Sequence, residues 1–233
     1  MLKNIFNLPD PGQSGADETL EMIKPGTFAA IFARAGVGKT ALMVQTAING
    51  MLRGKNVLHI STRNPVDKVD LWYREMFQRL DQAYGDIQIK KRLDQLLRHR
   101  FIMTFETETF SIAKLKKRVD ELISQDIFTP AQIMIDDFSF ETVSDEEIAD
   151  LKAFAEKNGL VFWFTIRTHR DEPLGEGGIP TRLAPMTRWF DFMARLEPNN
   201  DRIYIRQVVP DETDDKGNVL FLDPSSLLIK EMA

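Results

Sequence analysis

Short apolar runs alternate with longer amphipathic stretches through most of the chain. Each run has five to seven residues, which suits a strand buried on both faces, and the stretches between the runs have helical spacing. The predicted strands are Thr27–Phe32, Asn56–Ser61, Phe101–Phe105, Ala131–Ile135 and Leu160–Ile166. This alternation predicts an α/β fold with a mostly parallel central sheet and helices on both of its faces.

Capping and stop residues mark the predicted helices. Ser144 and Glu147 have the spacing of a capping box, and Gly159 is suited to end the helix that follows them. Apolar residues three and four positions apart predict another helix over 111–124. Further predicted helices are 40–52, 65–84 and a basic stretch from 85 to about 98.

The end of the chain has a different pattern. Strand-like runs follow one another there with turn residues and no helical stretch between them. These runs are Phe192–Leu196, Arg202–Val209, Val219–Leu222 and Leu227–Lys230. Runs joined in this way predict antiparallel hairpins that extend one edge of the sheet. We therefore predict a single domain over residues 26–233, preceded by an N-terminal segment over 1–25.

Composition and charge narrow the function classes. The net charge of −5 disfavours nucleic acid or an anionic membrane as a partner through bulk electrostatics. The chain has no cysteine, which excludes disulfides and thiolate metal sites, and its three histidines lack metal-ligand spacing. No apolar run reaches the ~20 residues of a membrane span, and the N-terminus lacks the apolar core of a signal peptide. These observations predict a soluble cytoplasmic protein.

A glycine-rich loop joins the first predicted strand to the first predicted helix. Gly36 and Gly38 supply a permissive backbone, and the helix N-terminus behind them favours an anion. Lys39 is placed to reach phosphate oxygens, and the Thr40 hydroxyl is placed to bind Mg²⁺. This pattern predicts a P-loop that binds ATP together with Mg²⁺. The predicted nucleotide contacts are Ala33, Arg34, Ala35, Gly36, Val37, Gly38, Lys39, Thr40 and Ala41.

Two acidic residues follow the apolar part of the fourth predicted strand. An apolar strand that ends in Asp places a carboxylate beside Mg²⁺, so Asp136 is a predicted metal-side ligand together with Thr40. Asp137 has three interpretations: an acid behind the metal ligands, a group that activates water, or a solvated loop residue. We treat Lys39, Asp136 and Asp137 as the candidate catalytic residues.

These segments together resemble the RecA superfamily, and within it the KaiC-like and replicative-helicase-like ATPases. The resemblance spans roughly residues 20–230. The segments that match are Gly26–Phe28, Ala33–Thr40, Val57–Ser61 followed by Asn64 and Pro65, Ile133–Asp137 and the hairpin strand Arg202–Val209. The resemblance implies a RecA-like fold, assembly of identical subunits into a ring or filament, and ATP hydrolysis between subunits.

One position departs from the KaiC-like pattern. Where those proteins carry a glutamate pair after the second strand, this sequence has Thr62 and Arg63, neither of which acts as a general base at neutral pH. A general base contributes about 10²–10⁴-fold to a rate, so ATP binding with slow hydrolysis is expected. Three substitutes remain open: Asp137, one of the acids Glu106 and Glu108, or an acid from a partner subunit.

Other polar residues have a nucleotide-related and a structural interpretation. Arg63 is interpreted as a γ-phosphate ligand, a contact to a neighbouring subunit, or a surface arginine. Arg206 resembles the basic residue with which KaiC-like proteins reach a neighbour's nucleotide, although Val208 stands where those proteins have a second basic residue. Candidates for sensing the γ-phosphate at the end of the fifth predicted strand are Thr165, Thr168 and His169.

Nucleic acid is a less favoured partner. Residues 171–185 form a long loop rich in glycine and proline, at a place where loops of RecA-like proteins meet their substrate. This loop opens acidic and lacks the clustered aromatic and basic residues of a single-strand channel. The basic segments 90–92 and 98–100 are interpreted as solvated helix faces, or as contacts to nucleic acid or an acidic partner.

The first functional hypothesis is a nucleotide-dependent switch or regulator with weak or partner-dependent ATP hydrolysis. The alternative is an active ATPase motor that acts on nucleic acid, and a third hypothesis is a phosphotransferase for a small substrate. The chain has no Asn-Lys-x-Asp motif, which favours ATP over GTP. The expected partners are ATP, Mg²⁺ and further copies of the chain, and the sequence identifies no protein client.

Overall fold

The computed structural model describes residues 24–84, 93–210 and 219–232. Most of the predicted N-terminal segment and the basic residues 90–92 lie outside the described residues. The strands are β1 (Phe28–Arg34), β2 (Val57–Ser61), β3 (Arg100–Thr104), β4 (Gln132–Asp136), β5 (Val161–Thr168), β6 (Phe192–Asn199), β7 (Arg202–Val209), β8 (Leu220–Leu222) and β9 (Ile229–Glu231). The main helices are α1 (Lys39–Leu52), α2 (Val66–Tyr84), α3 (Ile112–Ser124) and α4 (Asp145–Asn158). Within these ranges, no helix has the length and apolar character needed to cross a membrane.

All of these strands belong to one sheet, in the order β3-β2-β4-β5-β1-β6-β7-β8-β9. The strands from β3 to β6 in this order pair in parallel, and β1 lies between β5 and β6. The strands from β6 to β9 pair antiparallel and extend one side of the sheet. The predicted α/β fold, with a mostly parallel sheet and C-terminal antiparallel hairpins, is confirmed.

Side chains of β1 alternate between two apolar layers. Ala29 and Ile31 belong to the layer that contains α1 and α2, whereas Phe28 and Phe32 belong to the layer that contains α3 and α4. All four side chains are almost fully buried. The helices therefore cover both faces of the sheet. The strand β1 runs through the middle of the core, so its C-terminal end has a fixed position.

Capping residues start two of the helices, and the cap of α4 is the one that the sequence predicts. Ser144 Oγ accepts from the Glu147 N–H at 3.3 Å, and the Glu147 carboxylate accepts from the Ser144 N–H at 3.0 Å, which completes a capping box for α4. Gly159 ends α4 with a left-handed φ of 67°. Ser111 caps α3 by accepting from the Lys114 N–H at 3.2 Å.

Some strand ends differ from the prediction. The strand predicted to end at Ile166 continues to Thr168, because Arg167 and Thr168 still pair with the last residues of β1. The strand predicted to begin at Leu227 begins at Ile229, because Leu227 has a left-handed φ of 56° that a strand does not accommodate. The longer β5 places Arg167 on the sheet, paired with Ala33 near the end of β1.

Candidate functional site

The loop between β1 and α1 turns on two glycines. Gly36 and Gly38 have φ angles of 77° and 106°, in the region that favours glycine. A Cβ atom at Gly38 would lie 3.2 Å from Leu222 Cδ1, so a larger residue would also be crowded. Gly38 gives α1 no side-chain cap, which leaves the first N–H groups of the helix without an intrahelical partner. A helix start of this kind is suited to an anion.

Lys39 is folded back over this loop. Its Nζ donates hydrogen bonds of 2.9 Å to the carbonyl oxygens of Ala33 and Arg34. Only 8% of Lys39 is exposed, and burial lowers the pKa of Lys39, an effect that the charges of Asp137 and Asp136 oppose. An ammonium group has three N–H donors, so Nζ retains the capacity to bind a further oxygen atom.

The carboxylate of Asp136 lies beside the start of α1. Thr40 Oγ1 is 3.2 Å from Asp136 Oδ1 and 3.1 Å from Asp136 Oδ2. Burial raises the pKa of Asp136, against the hydrogen bonds from Thr165 and Thr40 that favour its ionised form. Hydroxyl and carboxylate oxygens are hard donors, and Mg²⁺ is usually held by one or two carboxylates with phosphate oxygens and water. The two side chains therefore fit the ion that the sequence predicts.

Thr165, on β5, forms hydrogen bonds with both Asp136 and Asp137. We call these two residues the acidic pair. Thr165 Oγ1 donates to Asp136 Oδ1 at 2.5 Å and accepts from the Asp137 N–H at 2.7 Å. Thr165 is fully buried, so it orients the acidic pair from within the sheet. Both hydrogen-bonding functions of the hydroxyl are occupied in this way, which makes Thr165 a positioning residue and does not support its interpretation as a phosphate sensor.

Asp137 lies at the centre of a charged cluster. Its backbone has a left-handed φ of 58°, and its Oδ2 atom forms ion pairs with Arg63 Nε at 2.8 Å and Arg167 Nη2 at 2.9 Å. Only 15% of the Asp137 side chain is exposed, whereas the arginine side chains are 51% and 42% exposed. The interpretation of Asp137 as a solvated loop residue is therefore wrong, whereas Arg63 is an exposed arginine that pairs with Asp137.

Arg167 is a member of this cluster that the sequence pattern does not reveal. It follows the last residue of the predicted strand, and it enters the site because β5 extends past that point. The sequence indicates Arg167 through its position alone, since ligands bind a parallel sheet at the carboxyl ends of its strands. Position alone did not distinguish Arg167 from the neighbouring Thr168 and His169.

A cleft of about 320 Å³ opens beside the loop. It is lined by Gly36, Gly38, Lys39, Thr40, Ala41, Val44, Trp72, Glu75, Met76, Arg79 and Leu227. Hydrogen bonds fix its C-terminal wall: Gln45 Nε2 donates to the Leu227 carbonyl at 2.7 Å, and Arg79 Nη1 donates to the Ser226 carbonyl at 3.0 Å. The predicted contact Ala41 lies in this cleft, whereas no local pattern pointed to Trp72 or Arg79.

Arg206 lies in a second cleft, of about 450 Å³. Its Nε forms an ion pair with Glu197, and the side chain is largely exposed. Thr168 and His169 line the same cleft, as does Arg34 at the end of β1. The structure therefore groups Arg206 with three other predicted residues, and it leaves the guanidinium group accessible from outside the chain.

Glu106 and Glu108 lie at and within a short 3₁₀ helix after β3. Thr107 Oγ1 donates to the Thr62 carbonyl at 2.6 Å, which places this helix beside the loop that follows β2. Both acids are exposed, which fits solvated loop residues better than a role in catalysis.

A comparison of the sequence with models of known protein families finds no match, and a comparison with curated proteins finds none either. Function is therefore inferred from the arrangement of this chain's own residues around the loop and the acidic pair.

Proposed function

We propose that this protein is an ATP-binding, RecA-like protein of the KaiC-like kind, which acts as a nucleotide-dependent switch. The observation that supports it most directly is the contact between Thr40 and Asp136, beside the buried Lys39 and the uncapped start of α1. A hydroxyl, a carboxylate and a lysine meet here at a helix N-terminus, which is the set of groups that a magnesium–triphosphate site requires.

The sheet order supports a RecA-like fold for this site. One strand, β5, lies between β1 and β4, and β2 lies on the other side of β4. Because these strands are parallel, the loops after β1, β2 and β4 meet at the same edge of the sheet. The glycine-rich loop, Arg63 and the acidic pair are thereby brought together although they are far apart in sequence.

Each group has a defined task when the nucleotide is bound. The N–H groups of the loop and of the α1 start hold phosphate oxygens, and Lys39 donates its remaining N–H to a further phosphate oxygen. Thr40 and Asp136 hold the Mg²⁺ ion, which neutralises phosphate charge. The cleft beside the loop offers the aromatic and apolar side chains of Trp72 and Leu227 to the base and ribose.

Slow or partner-dependent hydrolysis follows from the groups near the proposed phosphate site. Residues 62–63 offer no carboxylate, and Asp137 Oδ2 is already engaged by two guanidinium groups. While both ion pairs are present, this oxygen is not available as a general base, and Asp137 becomes a candidate base only when they are released. Rapid turnover therefore needs a rearrangement or an acid from a partner, such as a second copy of the chain.

The first test measures binding of Mg²⁺-ATP to the purified chain by calorimetry and hydrolysis by phosphate release. We expect saturable binding with slow turnover, and Lys39→Ala should abolish binding because it removes the buried cation beside the loop. Lys117→Ala, on the exposed face of α3, is the matched control and should bind normally.

Two results would contradict this function. Normal ATP affinity in Lys39→Ala would rule out the proposed phosphate site, and fast turnover by the isolated wild-type chain would rule out the slow switch. Turnover stimulated by single-stranded DNA at low salt would instead support the motor alternative.

A further inference from the structure

We propose that Arg63 and Arg167 bind the terminal phosphate of a nucleoside triphosphate, and that Asp137 occupies their guanidinium groups when this phosphate is absent. The inference rests on the proposed function and extends it, because it assigns the residues with which the site distinguishes a triphosphate from a diphosphate.

The two arginines converge on one point from different strands. Arg63 follows β2, Asp137 follows β4 and Arg167 belongs to β5, and these strands are consecutive neighbours in the sheet. Both guanidinium groups reach the same atom, Asp137 Oδ2, at 2.8 Å and 2.9 Å. A single anionic oxygen held between two guanidinium groups has the geometry that a phosphate oxygen meets in arginine sites.

The accessible side of this cluster is formed by the arginines. A guanidinium group has five N–H donors, and each of these ion pairs occupies one nitrogen. About half of each arginine side chain is exposed, whereas the carboxylate between them is mostly buried. An anion that approaches from solvent therefore meets free N–H donors before it meets the negative charge of Asp137.

The cluster adjoins the groups assigned to the other phosphates. Asp136, the residue before Asp137, contacts Thr40 at the start of α1. The charges of Asp137 and Arg167 both act on the Lys39 ammonium group, which places the cluster within electrostatic reach of it. A phosphate group one step beyond those held by the loop and Lys39 is therefore directed toward the two arginines.

Charge balance explains why Asp137 is required in the empty site. Without it, the guanidinium groups of Arg63 and Arg167 would lie near the Lys39 ammonium with only Asp136 to offset three positive charges. A terminal phosphate brings its own negative charge and takes over the role of Asp137 as counter-ion. At position 63, where KaiC-like proteins have a glutamate, this chain thus has a phosphate-binding arginine.

The test compares ADP with the non-hydrolysable triphosphate AMP-PNP, each with Mg²⁺, by calorimetry on the full chain. Arg63→Ala and Arg167→Ala should each weaken AMP-PNP binding about 10- to 100-fold, the effect of one lost hydrogen bond to a charged group, and leave ADP binding unchanged. Asp137→Asn should strengthen AMP-PNP binding relative to ADP, because it removes the competing anion. Arg118→Ala, an exposed arginine paired with Glu121 on α3, should alter neither affinity.

Separate outcomes overturn the inference and the function on which it rests. If the wild-type chain binds AMP-PNP but the arginine variants bind it equally well, or lose ADP to the same extent, the terminal-phosphate site is refuted while ATP binding stands. If the wild-type chain binds neither nucleotide, both fail. Arg63→Lys retains the positive charge but lacks the planar guanidinium group. A loss of AMP-PNP affinity in this variant too would support bidentate binding, because the surface charge of the chain is unchanged.

Discussion

At the scale of single residues, Asp136, the proposed Mg²⁺ ligand, lies where burial disfavours its ionised form. Asp136 is 6% exposed, and burial raises its pKa in spite of hydrogen bonds from two threonines. The folded chain therefore holds a proton on this carboxyl more tightly than the unfolded chain does. The proposed Mg²⁺ binding requires the ionised form at neutral pH, so under this proposal the fold retains a charge that lowers its own stability.

Because burying the ionised carboxyl of Asp136 lowers the free energy of unfolding, we predict that Asp136→Asn stabilises the folded chain at neutral pH. Because the pKa is raised on folding, the wild-type chain loses stability as pH rises from the unfolded pKa through the folded one, and the uncharged variant lacks this loss. Urea unfolding between about pH 3 and pH 8 should show a difference that grows with pH. Asp120→Asn, at an exposed position of α3, is the control.

A less stable Asp136→Asn chain at neutral pH would contradict this account. It would mean that the hydrogen bonds from Thr40 and Thr165 outweigh the cost of burying the charge. The same variant should gain no stability from Mg²⁺-ATP, whereas the wild-type chain should gain it through binding to the folded state.

At the scale of elements, a buried polar cluster attaches α2 to β2 and β3. His59 Nδ1 lies 3.0 Å from the Tyr73 hydroxyl, and Arg100 stacks 4.6 Å from the centre of the Tyr73 ring while it pairs with Asp70. Burial and the charge of Arg100 lower the pKa of His59 to about 3. Because Arg63 follows β2 closely, this cluster also supports the backbone that carries Arg63.

The neutral His59 predicts a specific sensitivity to acid. Its pKa falls on folding, so the unfolded chain binds the extra proton and stability is lost as pH falls from about 6.5 towards 3. His59→Leu should reduce the slope of unfolding free energy against pH in this window, even if it lowers stability at neutral pH by removing the Tyr73 contact. Chemical denaturation over this range measures it.

His169→Ala is the matched control, because His169 is exposed and lies outside the core. An unchanged slope in His59→Leu would show that the acid sensitivity of the chain comes from other groups.

At the scale of the whole molecule, sheet topology assembles the site from segments that are distant in sequence. The contact between Thr40 and Asp136 spans 96 positions, and it exists because β5 holds β4 at a fixed distance from β1. Arg206 lies on the antiparallel extension of the same sheet, and its guanidinium group remains accessible. The chain thus presents the proposed nucleotide site and an exposed arginine, the two parts that the proposed KaiC-like assembly needs.

We expect AMP-PNP to promote self-association of the chain, because the proposed KaiC-like assembly places nucleotide between subunits. Size-exclusion chromatography with light scattering should show a larger mass with AMP-PNP than with ADP, and Lys39→Ala should abolish the difference. Arg206→Ala should bind nucleotide normally but associate less, whereas Arg118→Ala should resemble the wild-type chain. A monomer under all conditions would refute assembly through nucleotide and leave binding intact.

Local patterns predicted much of the fold and the centre of the site. The alternation of apolar runs predicted β1 to β5, and Ser144 with Glu147 predicted the start of α4, because strands and caps depend on residues close in sequence. Lys39 and Thr40 were predicted from the glycine-rich loop, and Asp136 was predicted because it follows an apolar run. Their contact in the structure is consistent with that prediction.

The remaining features depend on which strands become neighbours. Thr165 bridges the acidic pair, and Arg167 reaches Asp137, only because β5 lies beside β4 and extends to Thr168. The cleft beside the loop likewise needs the C-terminal segment to pack on α1. No periodicity encodes these contacts, so the sequence left several interpretations of Asp137 and Arg63 open.

The packing of the C-terminal segment on α1 has a consequence for synthesis on the ribosome. Gln45 exchanges hydrogen bonds with Leu227 and Ile229, and Leu222 packs close to Gly38 at the turn of the loop. A nascent chain that has emerged only as far as β5 already contains Lys39, Thr40 and the acidic pair, but it lacks one wall of the cleft. We therefore expect vectorial folding to form the proposed phosphate end of the site first and to complete the proposed base end last.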